Sequence, residues 1–170
     1  MFNSPFEKKD DVDIPEDVKI IFCCDLFVED YVGGAELTSE AFIESCPLSC
    51  YKLHSSKVNM ETLEKYQDKY WVFGNFSGIS PNLWPTIIAN MNYSIVEYDY
   101  KLCKFRSPEK HKFETGEDCD CPDTMHGKLI SALFYGAKSL YWMSEGQQNY
   151  YHNQFPFLRD KPNFVISSTF

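Results

Sequence analysis

The stretch from residue 103 to residue 126 concentrates side chains that can bind a metal ion. It holds three of the seven cysteines and two of the four histidines of the chain. Thiolate and imidazole groups are the donors that zinc prefers, usually four of them in a tetrahedron. Cys103, His111, Cys119 and Cys121 form the predicted ligand set, with His126 as a spare. Four protein ligands leave no open position on zinc, so this set predicts a structural role for the ion.

Two other interpretations of these cysteines stay open at the level of the sequence. The spacing Cys119-x-Cys121 is tighter than the two to four intervening residues that are usual in zinc sites. The cysteines could therefore be free thiols in an ordinary loop, or form a Cys119–Cys121 or a Cys103–Cys119 disulfide. The charged N-terminal stretch lacks the apolar core of a signal peptide, which predicts a cytoplasmic protein. Disulfides are uncommon in that reducing compartment.

A pair of adjacent glycines suggests a second kind of chemistry. Gly33 and Gly34 follow the apolar run 18–24 and precede a helical pattern. A helix N-terminus carries partial positive charge and suits a phosphate, and glycine lets a ligand approach the backbone closely. The chain has neither the G-x-G-x-x-G fingerprint nor a P-loop, so dinucleotide and P-loop nucleotide binding are not predicted. A tight turn without a ligand is the alternative.

The elements that must position these residues alternate along the chain. Short β-rich runs occupy residues 18–24, 50–54, 70–73, 94–98, 140–143 and 163–167, and helical patterns lie between them. Such alternation favours right-handed βαβ units. The prediction is a three-layer, Rossmann-like α/β domain with an open, mostly parallel sheet of about six strands and helices on both faces. The domain spans residues 17–170 and contains a long irregular loop, 99–124, after an acidic flexible leader, 1–16.

Helix ends are predicted at four places. One is Gly136, which is predicted to lie just beyond the end of the helical pattern 128–135. Asn59 precedes one helical pattern, and Ser80 precedes another that has Pro81 at its first position. Ser144 begins the spacing of a capping box, with Gln147 three residues later. Ser144 and Glu145 also follow the fifth strand at the sheet edge that the glycines occupy, so both are candidates for substrate binding.

Several short segments carry a resemblance to a known family. "GGAE" opens a helix after the first strand, and "YKLHSSKVN", "YWVFGNFSGIS" and "SIVEYDYKLCKFRSPEKH" follow. Together they resemble the N-terminal domain of GT-B-type retaining glycosyltransferases, of the family 4-like group. The resemblance implies that Gly33, Gly34 and Glu36 face a cleft near a donor diphosphate. It places Asp99 at a position that is often catalytic, although this chain lacks the histidine that is common there.

The resemblance also implies partners for the chain. These are a sugar acceptor, a nucleotide-sugar donor, and a second Rossmann domain in the same chain or another, or a second copy of this one. The alternative is a stand-alone binding module without chemistry, stapled by zinc. An exposed apolar cleft face would favour the first interpretation, because a missing domain should cover it. The net charge of −9 without a basic run argues against nucleic-acid binding, and no apolar stretch is long enough to span a membrane.

Overall fold

The computed structural model of the protein describes residues 12–166, and these residues contain one sheet of six strands. The order is β2-β1-β3-β4-β5-β6, and every neighbouring pair is parallel. It extends the 2-1-3-4-5 order of flavodoxin-like sheets by one strand, with the switch point between β1 and β3. The predicted fold class is confirmed. The strands are β1 Ile20–Cys24, β2 Cys50–His54, β3 Tyr70–Phe73, β4 Asn92–Glu97, β5 Leu140–Trp142 and β6 Asn163–Val165.

Six α-helices connect or follow the strands within the described residues. They are α1 Gly34–Ser45, α2 Met60–Lys65, α3 Trp84–Asn90, α4 Pro108–Thr115, α5 Met125–Gly136 and α6 Glu145–Gln154. Two predicted caps are confirmed. Asn59 Oδ1 accepts a hydrogen bond from the N–H of Thr62 at 2.9 Å, and Ser144 Oγ accepts one from the N–H of Gln147 at 3.1 Å. These side chains satisfy helix N–H groups that have no partner within the helix.

The two faces of the sheet are covered unequally. Along β1, Ile21 and Cys23 belong to a core that includes buried side chains of α2, α3, α5 and α6. Phe22 and Cys24 point to the opposite face, where Phe42 and Ile43 of α1 pack on the sheet. Successive strand residues alternate between faces, so this division follows from the strand geometry. The helices on both faces complete the three layers.

Two predicted helix ends are wrong in detail. Pro81 begins a 3₁₀ turn, Pro81–Leu83, and the side chain of Ser80 makes no capping hydrogen bond. The α-helix α3 starts only at Trp84, so that Pro85 lies in its first turn, where a missing N–H costs nothing. Gly136 is the last residue of α5 and has a negative φ, whereas the predicted left-handed residue would lie beyond the helix end.

The segment 99–124 was predicted to be an irregular loop, but it contains the helix α4. Ser107 Oγ accepts from the N–H of Lys110 at 3.1 Å, and Pro108 occupies the first helical position. Gly116 ends the helix in the left-handed region, with φ 78°. The signal was present in "SPEKHKFETG", which has a serine cap, a proline start and a glycine stop.

The folded domain begins before residue 17, the predicted boundary. Ile14 is buried, and its N–H donates to the hydroxyl of Tyr66 at 2.8 Å. That hydroxyl in turn donates to the carbonyl of Val12 at 2.9 Å. Residues 12–16 of the predicted leader are therefore attached to the end of α2. Residues 1–11 and position 167 of the predicted sixth strand lie outside the described residues. Among residues 12–166, no helix has both the length and the apolar character needed to cross a bilayer.

Candidate metal centre and cleft at the carboxyl edge of the sheet

The four predicted metal ligands converge in the structure. The side-chain donor atoms of Cys103, His111, Cys119 and Cys121 all lie within 4.8 Å of one another. Nδ1 of His111 is 3.6 Å from Sγ of Cys103 and 3.5 Å from Sγ of Cys121. Tetrahedral zinc, with bonds of about 2.3 Å to sulfur and about 2.0–2.1 Å to nitrogen, would hold those atoms about 3.6 Å apart. The cluster, called here the Cys₃His cluster, can hold a metal ion such as zinc.

Secondary structure brings these ligands together from four short pieces of chain. Cys103 lies in the turn after β4, and His111 is buried on α4. Cys119 follows α4, and Cys121 starts the 3₁₀ turn Cys121–Asp123 that leads into α5. Thr124 caps α5, accepting from the N–H of Gly127 at 3.2 Å. The helix α4 and its glycine stop therefore reverse the chain so that both ends of the segment meet.

The surroundings of the Cys₃His cluster suit a bound cation. The N–H of Phe105 donates a hydrogen bond to Sγ of Cys103 at 3.4 Å. Oδ1 of Asp120 lies 3.7 Å from Nε2 of His111, on the side of the ring away from the cysteines. At 3.7 Å this is a close polar contact and not a hydrogen bond, on the side of the ring where metal-binding imidazoles commonly have a carboxylate partner. Burial raises the pKa of the Cys119 thiol to about 12, so metal binding near pH 7 must release its proton.

The structure also bears on the two considered disulfides and on the spare histidine. All seven cysteines lie within residues 12–166 and are free, so neither considered disulfide is present. His126 is outside the Cys₃His cluster, with Nε2 2.8 Å from the carbonyl oxygen of Lys101. Its ring packs 6.2 Å from that of Trp84. His126 therefore belongs to the neighbouring cleft.

A buried ion pair lies beneath the turn that holds Cys103. Nζ of Lys101 is 2.7 Å from Oε1 of Glu97, and both side chains are essentially inaccessible to solvent. Tyr151 donates its hydroxyl hydrogen to the other oxygen of Glu97 at 2.7 Å. Burial raises the pKa of Glu97 to about 7, although the charge of Lys101 acts in the opposite direction. No sequence pattern predicted this pair, which begins at the last residue of β4.

Asp99, predicted to be catalytic, makes its contacts with cations. Its Oδ2 accepts from Nε of Arg106 at 2.9 Å and lies 2.8 Å from Nη2. Nη2 also donates to Oδ1 of Asn75 at 3.2 Å. Arg106 is the only non-glycine residue among residues 12–166 with positive φ, at 61°. In this arrangement Asp99 holds a strained arginine in place, and its catalytic role stays a prediction.

The glycine loop has a different character. Gly33 caps α1 with φ −133°, and Gly34 also lacks a positive φ, so neither position needs glycine for its backbone. A Cβ added to Gly33 would lie 2.6 Å from Oε2 of Glu36 and 2.8 Å from the ring of Tyr31. At Gly34 it would meet nothing within 4 Å. The carboxylate of Glu36 thus lies where the diphosphate was predicted, and it would repel a second anion.

Ser144 and Glu145 lie at the same sheet edge, as predicted. Ser144 is engaged in capping α6, and Glu145 is exposed. The buried side chain of Gln147 connects two loops, accepting from the N–H of Met143 and donating to the carbonyl of Asp99, both at 2.9 Å. The contacts of Ser144 and Gln147 are therefore structural, whereas substrate binding by Ser144 and Glu145 stays a prediction.

Asp25, which the sequence analysis did not single out, joins three loops at the switch point of the sheet. It accepts hydrogen bonds from the hydroxyl and N–H of Ser77, at 2.7 and 3.0 Å, and from the N–H of Gly78 at 3.1 Å. The hydroxyl of Ser55, after β2, also donates to it. Burial alone would raise the pKa of Asp25, but these hydrogen bonds lower it below its ordinary value. An acidic residue directly after β1 was the available signal.

A cleft of about 260 Å³ opens beside the Cys₃His cluster. Cys103 lines it, together with residues of the loop after β3 and of helix α5. Its polar lining consists mainly of Lys101, Lys104, Arg106 and His126. The cleft therefore lies between the end of β3 and the turn that carries the first predicted metal ligand.

Comparisons with protein-family models, with curated proteins and with solved structures found no match for this chain. The function is therefore inferred from the geometry of the site.

Proposed function

We propose that this protein is a zinc-stapled α/β binding module. The convergence of Cys103, His111, Cys119 and Cys121 supports it, with sulfur–nitrogen distances of 3.5 and 3.6 Å that suit tetrahedral zinc. The ion closes the segment between β4 and α5 into a rigid structure at the carboxyl edge of the sheet. Ligands of open α/β sheets bind at this edge, so the staple shapes a binding site.

A binding role fits the state of the carboxylates at this edge. Asp25 is held by four hydrogen bonds, Glu97 by Lys101 and Tyr151, and Asp99 by Arg106. These contacts use the acidic groups to tie loops together. The zinc is structural in this proposal, because four protein ligands leave no position for a substrate.

The test is metal content and its spectroscopic signature. Reduced protein prepared with zinc should show one ion per chain by native mass spectrometry. Cobalt substitution should give intense visible bands of tetrahedral coordination with thiolate-to-metal charge transfer. Cys121→Ser should lose the metal, whereas Cys46→Ser, at a half-buried cysteine outside the cluster, should retain it. Metal-free reduced protein in the presence of excess zinc would overturn the proposal.

A second candidate function is the acceptor-side half of a GT-B-type glycosyltransferase, which would take part in sugar transfer from a nucleotide-sugar donor. One observation favours it. Leu26, Tyr31, Val32 and Leu37, in the glycine loop and the first turn of α1, are exposed, with Val32 at 66%. A second domain closing a cleft over Gly33 and Gly34 would cover such side chains.

Reading the source gene beyond codon 170 tests this second candidate. An in-frame second α/β domain would support it, and transfer activity of that longer protein should then fall on Val32→Asp. A stop codon at position 171, with no transfer to any acceptor on mixing with separate donor-binding domains, would contradict it. The zinc proposal does not depend on either result.

A further inference from the structure

The cleft beside the Cys₃His cluster is lined by basic side chains, although the whole chain is acidic. The protein carries 25 acidic against 16 basic residues, yet none of the residues that line the cleft is acidic. Lys101, Lys104, Arg106 and His126 all contribute to the lining. Lys101 is buried against Glu97 and Arg106 is paired with Asp99, so among residues 12–166 Lys104 is the basic side chain of this lining that keeps an uncompensated charge. A cleft with one sign of charge and low-dielectric walls concentrates ions of the opposite sign. This basic lining in an acidic protein points to an anionic ligand.

Several hydrogen-bond donors of this lining are unused among residues 12–166. Within the described part of the chain, the ammonium group of Lys104 contacts only the ring of Phe105, with Nζ 5.2 Å from its centroid. Arg106 donates through Nε and Nη2, which leaves Nη1 without a partner. Nε1 of Trp84 is buried and has no acceptor. Unsatisfied buried donors are rare in folded proteins, so a group that lines a cleft and lacks an acceptor indicates a missing ligand or water.

The size and the apolar lining of the cleft limit the ligand. Its volume of about 260 Å³ is slightly below the range that is typical for drug-sized molecules. Ile79, Pro81 and Ile130 also line the cleft and provide apolar surface. The space therefore accommodates one anionic group and a body of a few carbon atoms.

We propose that this cleft binds a small organic phosphate monoester, with the phosphate between Lys104 and the free Nη1 of Arg106. A phosphate monoester carries a charge of about −1.5 to −2 near pH 7. It can therefore pair with both cations, whereas a carboxylate ligand carries a single negative charge. Its short carbon body lies on the apolar surface. This inference deepens the proposed function, because it names the ligand class of the module.

The metal cluster explains how the two cations are held. Lys104 and Arg106 follow Cys103 by one and three residues, and the N–H of Arg106 donates to the carbonyl of Cys103 at 2.9 Å. The left-handed conformation of Arg106 is strained for a non-glycine residue, and such strain clusters at functional sites. Fixing Cys103 on zinc would hold this turn, and hence the guanidinium, in the binding geometry.

The experiment is a titration of zinc-loaded, ¹⁵N-labelled protein with glycerol 3-phosphate at low ionic strength. Saturable shifts are expected at the amides of Ser77, Lys104, Arg106 and His126. Inorganic phosphate should shift the same signals with weaker affinity, and acetate should not saturate them. Lys104→Ala, at an exposed residue without an ion pair, should weaken binding at least about fivefold. The matched control Lys110→Ala, on the surface of α4, should leave affinity unchanged.

Absence of saturable shifts, equal affinity for acetate, or equal weakening by Lys110→Ala would overturn this inference. Failure of the two proposals can be separated. A protein that binds zinc but shows no saturable shifts with glycerol 3-phosphate would contradict only the phosphate site. A titration that saturates at the same residues in protein that binds no metal would sink only the zinc staple.

Discussion

The glycine loop and the segment 99–124 differ in how many of their polar groups already have a partner within the protein. At the glycine loop, the carboxylate of Glu36 lies over Gly33 and provides its own anion at the start of α1. In the segment 99–124, four metal-binding donors meet. In the adjacent cleft, the ammonium group of Lys104 and Nη1 of Arg106 have no hydrogen-bond acceptor among residues 12–166. The loop with the more familiar pattern therefore has less room for an anionic ligand than the segment predicted to be irregular.

This difference shows what a motif and a site each require. A glycine pair before a helix indicates only where a ligand could approach, because many turns have the same sequence. A site also requires groups that the rest of the chain leaves unpaired, and pairing is decided by residues distant in sequence. Glu36 and Tyr31 decide it at the glycines, while α4 and its Gly116 stop decide it at the cysteines.

The largest expected effect is on stability when zinc is withdrawn. A chelator, or Cys121→Ser, should lower the free energy of unfolding by about 4 kcal/mol at zinc concentrations 1,000-fold above Kd. Chemical denaturation with and without zinc measures this difference. Cys46→Ser should keep the zinc dependence. Equal stability of the wild type with and without the ion would remove the main contrast between the two regions.

Glu97 is buried beneath the turn that holds Cys103, and its protonation should make the free energy of unfolding depend on pH. Its pKa is raised from 4.5 in the unfolded chain to about 7, so the folded state binds the proton more tightly. The stabilisation is complete below pH 4.5 and is lost as the pH rises through about 7, by at most about 3 kcal/mol. Glu97→Gln should abolish this contribution to the slope of unfolding free energy against pH. The exposed Glu117→Gln should keep it, and an unchanged slope in Glu97→Gln would refute the assignment.

Two glycine substitutions sharpen the comparison between the regions, and the first should destabilise the protein. In Gly127→Ala, the added Cβ would lie 2.2 Å from the carbonyl oxygen of Cys121 and 2.7 Å from Cα of Pro122. These are backbone atoms next to a predicted ligand and cannot move without shifting the cluster. The expected loss is about 1–3 kcal/mol, with weaker zinc binding, measured by thermal unfolding and metal competition. Wild-type values for both would show that α5 is not clamped to the Cys₃His cluster.

The second substitution should have the smallest effect. Gly34→Ala places a methyl group in open space at the first residue of α1, where φ is not positive. Stability should be unchanged or rise by less than about 1 kcal/mol, because alanine loses less entropy in a helix. Thermal unfolding beside Gly127→Ala is the measurement. A marked destabilisation would mean that the glycine loop is more constrained than its contacts indicate.

Much of the sheet could be predicted from the sequence because β1, β3, β4 and β5 are short runs of mostly buried residues, most of which are apolar. The predicted boundaries of β2 and β3 coincide with those of the structure, and the other strands differ by one or two residues at their described ends. Caps such as Asn59 and Ser144 were predictable because they act within three residues of chain. The helix α4 was equally local, and it was missed because charged residues hide its short pattern.

The alternation of strands and helices and the ligand types of the Cys₃His cluster can be predicted from residue type and local spacing. Three other features depend on the folded chain: the four donors meet, Glu97 pairs with Lys101, and Arg106 contacts Asp99 and Asn75. The contacts of Arg106 with Asn75, and of Glu97 with Tyr151, join residues 31 and 54 positions apart. The pairing of polar groups across such distances depends on the order of the strands in the sheet. Local spacing in the sequence does not specify that order.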